Sequence, residues 1–183
     1  LSKNSLKNHF IISSPQMIDP LFDKSVIYIY EHDTNGAKGL IINKSIEEVG
    51  FNEAIYLKKE ILNDEEKKKK IFLGGPIITN EIIILHSNKI NMLNNIKLNE
   101  TLFISYNKNH SGNIIYNDKH KIFIGYSSWY SGQLEKEIKN GDWLIQNYSE
   151  NFIFYQSENK IWEYAINSLG IDINKLTATN GVN

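Results

Sequence analysis

Two runs rich in β-branched and aromatic residues, Ser25 to His32 (SVIYIYEH) and Lys38 to Lys44 (KGLIINK), flank Asp33-Thr34-Asn35-Gly36. Asn-Gly between such runs is the strongest short-range hairpin signal, because both residues tolerate the positive φ a tight turn needs. The two runs therefore pair antiparallel, and the rest of the chain must build on that hairpin. His9 to Ser13, Ile71 to Leu73, Glu81 to His86, Thr101 to Tyr106, Lys121 to Tyr126, Trp143 to Gln146 and Phe152 to Tyr155 read as further strands. Ile82-Ile83-Ile84-Leu85 does not alternate, so that strand is expected to be covered on both faces. Helical spacing predicts helices over Asn52 to Leu62, Ser131 to Asn140 with Gly141 as its stop, and Lys160 to Leu169 with Ser157 as N-cap and Gly170 as stop. Many strands with a few helices, not in strict alternation, place the chain in the α+β class.

The other segments agree with one continuous domain over residues 1–183. There are only three prolines, and no Pro/Gly/Ser-rich linker and no repeat interrupts the chain. Asp64 to Lys70 (DEEKKKK) reads as a solvated loop, and Thr177 to Asn183 as a flexible tail.

Composition excludes more than it identifies. With 41% hydrophobic and 22% charged residues the chain supports an ordinary core and is not disordered. It has no cysteine, which removes disulfides, thiol catalysis, iron–sulfur clusters and Cys-based zinc sites. All 20 basic residues are Lys, and net charge is −1. Arg is the usual bidentate reader of phosphate and guanine, so direct nucleic-acid binding is not expected. No apolar run reaches the ~18–20 residues of a membrane span, and no apolar leader is visible, so a cytoplasmic protein with no membrane partner is expected. Because the chain begins with Leu1, an organelle is the alternative should a transit segment precede it. The five histidines, at positions 9, 32, 86, 110 and 120, lack metal-site spacing, and neither metal nor cofactor is expected.

Three segments stand out. In the first, Asp19 to Lys44, Asp19-Pro20 fits a turn or helix start. Glu31 and His32 are neighbours on a strand and point to opposite faces. Either one of them enters a cleft at the hairpin end, or they bond to the turn backbone. The second, Ile71 to Pro76 (IFLGGP), follows a strand with Gly74-Gly75. Such a pair either presents N–H groups to an anion or permits a close backbone crossing; the Lys and spaced glycines of phosphate loops are missing. His86 ends the following strand and is expected to be structural. The third, Gly125 to Glu135 (GYSSWYSGQLE), reads as a strand leading into a helix through an aromatic corner or ligand rim. It lacks the G-x-S-x-G pattern of a serine nucleophile.

These segments together resemble the AlgH/YqgE family, a bacterial family of unknown function. The resemblance rests on Asp19, Pro20, Phe22, Ser25, Val26, Ile27, Tyr28, Glu31, His32, Gly36, Ala37, Gly39, Leu40, Ile42 and Asn43. It continues through Phe72-x-Gly74-Gly75-Pro76, Leu85-His86, and Gly125-Tyr126-x-x-Trp129-x-x-Gly132-Gln133-Leu134-Glu135. Ser45 stands where the family usually has Pro, and Tyr106 to Lys119 departs from the family's segment. The resemblance implies a bifurcated, partly barrel-like mixed or antiparallel sheet with a few flanking helices. It implies no established chemistry, although members have been called transcriptional regulators.

Many of the matching residues are Gly, Pro, aromatic or Asn, types that fix turns and rims rather than move protons. A non-enzymatic module binding a small ligand or a protein, monomeric or weakly homo-oligomeric, is therefore expected. Its binding residues would be Glu31, His32, Asn43, Gly74, Gly75, Tyr126, Trp129 and Gln133. Strand geometry divides them: Glu31 or His32 at a rim near the turn, and Asn43 bracing the Gly-Gly-Pro loop or the Trp129 corner. The alternative is a hydrolase with His32 or His86 as base, Glu31 or Glu135 orienting it, and Gly74-Gly75 amides holding an anion.

Overall fold

The computed structural model describes residues 5–87, 95–107 and 119–173. Among these, nine strands and six helices follow in the order β1 (His9–Ser13), β2 (Val26–Asp33), β3 (Gly36–Ile41), α1 (Ile46–Val49), α2 (Asn52–Ile61), α3 (Asp64–Lys67), β4 (Ile71–Leu73), β5 (Ile77–His86), β6 (Ile96–Lys97), β7 (Phe103–Asn107), β8 (His120–Tyr130), α4 (Gln133–Lys139), β9 (Trp143–Asn147), α5 (Glu150–Phe154) and α6 (Ile161–Ser168). The sheet order is β6-β7-β5-β8-β3-β2-β1-β9, antiparallel except that β4 pairs parallel to β8. The fold is α+β, its sheet curled into a half-barrel.

β8 is the joint of the sheet. Its first half pairs with β4 and β5, and its last four residues pair with β3, Gly36 opposite Tyr130 and Gly39 opposite Ser127. The hairpin forms as expected, with Ile27 opposite Ile41 and Asp33 opposite Gly36.

Alternation sends each strand into two cores. Val26, Tyr28 and Tyr30 of β2 join Phe10, Leu40, Phe123 and the residues of α5 and α6. Ile27 and Ile29 face the other way, onto Trp129, Leu134 and Trp143. Likewise Ile83 and Leu85 of β5 enter the first core while Ile82 and Ile84 pack under α1 and α2. The non-alternating Ile82–Leu85 run is thus covered on both faces.

Several local expectations need correction. Phe152 to Tyr155 is not a strand but the end of α5, because Phe152 and Ile153 are both buried and Phe152 packs 5.3 Å from the Phe10 ring. A short apolar run does not distinguish helix from strand by period. Within the charged run, Asp64–Lys67 is helical, started by a capping box in which Asn63 and Glu66 each bond the other's backbone N–H. Ser45 starts α1 by the same device with Glu48. Ser157 is not the N-cap of α6; Lys160 is, and the Ser157 carbonyl accepts from the N–H groups of Lys160 and Ile161. β8 extends through Tyr130, so the aromatic corner lies on a strand. The tail at 177–183 and most of the segment departing from the family lie outside the described residues. No helix among the described residues is long and apolar enough to cross a membrane.

One lysine sits in the main core. Lys121 donates to the Ile42 carbonyl at 2.9 Å and lies 3.3 Å from Glu158 and 4.2 Å from the Phe72 ring centre. Burial pushes its pKa down to about 8 against the pull of Glu158. A lysine whose pKa is lowered on folding weakens the native state while both states are protonated. That penalty lifts as pH rises from the folded pKa to the unfolded one. The stability difference between wild type and Lys121→Met should therefore rise by about 3 kcal/mol from pH 8 to about 10.5. Urea unfolding across that range checks it; a flat difference contradicts it. Buried Tyr28, Tyr30 and Tyr106, all with raised pKa values, lower stability above about pH 10 in both proteins and cancel in the difference.

Candidate functional site

Two breaks in strand register open a large cleft. Between Ile29 and Glu31, β2 slips against β3: Ile29 faces Gly39 but Glu31 faces Lys38. The extra residue, Tyr30, re-aims the side chains after it, as bulges do. Consecutive Tyr30 and Glu31 thereby line one cleft, and His32 falls on the α4 side with Ile27 and Ile29. In β5, Ile77 faces Tyr126 and Ile82 faces Ile124, so residues 78–81 stand out of the ladder. This slip delivers Thr79, Asn80 and Glu81 to the same cleft, which has a volume of about 920 Å³ and is completed by Lys38, Tyr106 and Tyr126.

The floor is phenolic. Tyr30, Tyr106 and Tyr126 all line it. Burial, with Tyr106 and the Glu31 charge adding, raises the Tyr30 pKa above the tyrosine range. Burial and Glu31 push Tyr106 up to about 12. Both hydroxyls therefore keep their protons at neutral pH and can donate as well as accept. At the rim, Lys38 and Glu31 pair at 2.8 Å with about half of each side chain exposed. Exposed pairs contribute only about 0–1 kcal/mol, so a ligand can part this one at small cost.

The other expected residues go elsewhere. The His32 side chain is 5% exposed; its Nε2 lies 2.7 Å from Glu135 and its Nδ1 accepts the Leu6 N–H at 2.7 Å. With Nδ1 an acceptor, the proton sits on Nε2 and is donated to Glu135. His86 is fully buried, stacked on Phe103, with its Nε2 2.9 Å from Ser105. Gly74 and Gly75 form a close backbone crossing: the Gly74 N–H donates to Ile124, its carbonyl accepts from Ile41 and Ser127, and Gly75 lies against Ser127. The Gly74 amide is thus not available to an anion. Asn43 braces neither the Gly-Gly-Pro loop nor Trp129. It accepts from Val26 N–H at 2.9 Å and donates to the Lys24 carbonyl, pinning the turn that enters β2.

Trp129 and Gln133 belong to a second, smaller cleft. Its base is Glu137, whose Oε2 accepts from the indole N–H of Trp129 and of Trp143, each at 2.8 Å. Gln133 donates to Oε1 at 2.9 Å and accepts from the Tyr130 N–H. Among the described residues, no group of three or more His, Asp or Glu side chains is placed to hold a metal.

Sequence reasoning missed Tyr30, Lys38, Thr79, Asn80, Glu81, Tyr106 and Glu137. The i,i+2 pair Tyr28 and Tyr30 marks the core face of β2, and Glu137 lies one helical turn after Gln133 on the same face. Neither signal shows that these groups line a cleft.

The comparisons with known proteins agree with this architecture. A family model described as AlgH-like matches residues 10–174. A UPF0301 protein of Proteus mirabilis is 35% identical, over 97% of this chain and 98% of its own length. The UPF0301 protein YqgE of Shigella boydii is 32% identical, over 92% and 94%. The solution structure of the AlgH protein from Pseudomonas aeruginosa superposes with a TM-score of 0.71 at 30% identity, covering 97% of this chain and 96% of that one. Protein DIP2367 from Corynebacterium diphtheriae, at 18% identity and a TM-score of 0.66, shares the fold.

Proposed function

This chain belongs to the AlgH-like family, and on that footing we propose that it holds a ligand rather than turns one over, acting as a binding or regulatory module. The observation that carries the reading is the cleft made by the two register slips. Its volume falls in the range of small-molecule sites, and bulges are enriched beside functional sites. Neutral phenols and a separable ion pair suit recognition of a polar ligand. None of the histidines among the described residues, at 9, 32, 86 and 120, lines the cleft.

The rival reading, a hydrolase, has the His32–Glu135 contact in its favour. It asks His32 to take a proton with a nitrogen that already accepts the Leu6 N–H, behind a side chain 5% exposed. It also asks the Gly74 amide to hold an anion while it donates to Ile124. The binding reading needs neither rearrangement. Its setting is the cytoplasm, with an organelle as the alternative, which cell fractionation decides.

A thermal-shift screen of polar metabolites tests the proposal. Compounds that raise Tm should lose about tenfold in affinity in Tyr106→Phe and in Glu81→Gln, each of which keeps its shape and loses a hydrogen-bonding or charged group. Mass spectrometry should recover them unchanged. Turnover of any compound, abolished by His32→Ala, overturns the reading.

A further inference from the structure

The smaller cleft, of about 480 Å³, lies on different walls from the phenolic one. Its polar base carries Asp19, Glu137 and Asp142, with no Lys among the lining residues, although the chain as a whole is nearly balanced at −1. Its outer wall is apolar: Met17, Phe22 and Ile18, the last 94% exposed.

The opposite wall is a strand edge with open main-chain groups. In an antiparallel ladder successive residues direct N–H and C=O alternately to either side. The Tyr130 N–H leaves the β3 ladder and donates to Gln133, so the even-numbered residues at this end of β8 face away from β3. The Ile41 N–H, directed to Gly74, sets the matching phase on β3. Ser128 therefore points its N–H and C=O off the edge. β5, which covers that side of β8 up to Ile77 opposite Tyr126, has ended there. Ser128 is exposed and lines the cleft.

We propose that this cleft takes an extended, basic segment of a partner protein by strand addition to the Ser128 edge of β8, its Lys or Arg side chain directed at Asp19, Glu137 and Asp142 and its apolar residues against Met17, Ile18 and Phe22. Main-chain hydrogen bonds to the edge supply affinity, and the acidic base selects the cation. The ion would sit beside the two indoles that Glu137 holds in place. This site is independent of the phenolic cleft and stands or falls apart from it.

The probe is fluorescein-labelled Val-Arg-Val-Arg-Val-amide, followed by anisotropy at low ionic strength against the full chain. Binding should weaken by at least about tenfold in the Glu-for-Arg peptide and in the Asp19→Asn/Asp142→Asn double variant. In that variant the amide at position 19 retains an oxygen to accept from the Leu21 and Phe22 N–H groups, as the Asp19 carboxylate does. Ser128→Ala should bind as wild type, since only main chain is used. Ser128→Pro should fold, because its lost N–H faces off the edge, and should lose binding. N-methylating alternate peptide nitrogens gives a second arm that needs no folded variant: one phase should abolish binding and the other spare it. No binding, indifference to both Ser128→Pro and N-methylation, or equal affinity for free arginine amide overturns the proposal.

Discussion

Gly74→Ala should cost about 3 kcal/mol of stability or more, which is a large part of what holds a domain of this size folded. A Cβ at Gly74 would lie 2.1 Å from the Gly125 carbonyl oxygen and 2.7 Å from Leu40 Cδ2. The first neighbour is strand backbone of β8 and cannot rotate aside. Gly74 is also fixed by its own bonds to Ile124, Ile41 and Ser127, so the crossing cannot open without breaking them. Gly141→Ala is the control. Gly141 has φ +85 and nothing within 4 Å of an added Cβ, so it should cost only the left-handed strain, about 1–2 kcal/mol. Denaturant unfolding of both variants checks the difference; equal losses contradict the crossing.

Glu137→Ala should cost about 3 kcal/mol. Trp129 and Trp143, 5% and 3% exposed, would each keep a buried indole N–H without its acceptor. An orphaned buried donor costs about 1–3 kcal/mol. Glu137→Gln keeps one acceptor oxygen and should cost about 1 kcal/mol, a group lost and not a pair. Calorimetry gives the energies, and tryptophan emission reports whether the two indoles move. Equal, small losses in both variants would mean that water replaces the carboxylate.

The family resemblance, which the comparisons bear out, already pointed to the curled sheet. The residues themselves reached the secondary structure where the signal was local. Asn35-Gly36 placed the hairpin, and the unbroken Ile82–Leu85 run marked a strand buried on both faces. Glu31 and His32 do diverge to opposite faces, but which face each takes was not legible. That depends on Tyr30 being squeezed out of register by β3, a property of the pair of strands rather than of either sequence. The same holds for residues 78–81, whose departure from the ladder depends on what β8 offers opposite. Phe152-Ile153 was misread as strand because a helix of five residues is too short to display a period. The phenolic cleft is a product of these long-range fits, which is why Tyr106 and Glu81 carried no mark in the chain.

The register slips in β2 and β5 make the cleft proposed for recognition. Amide and tyrosine-ring NMR shifts, followed while a metabolite that raises Tm is titrated in, test it most directly. Shifts should concentrate on Tyr30, Glu31, Glu81, Tyr106 and Tyr126, with the metabolite's own spectrum unchanged over the experiment. Shifts centred on His32 and Glu135, accompanied by new product resonances, would contradict it.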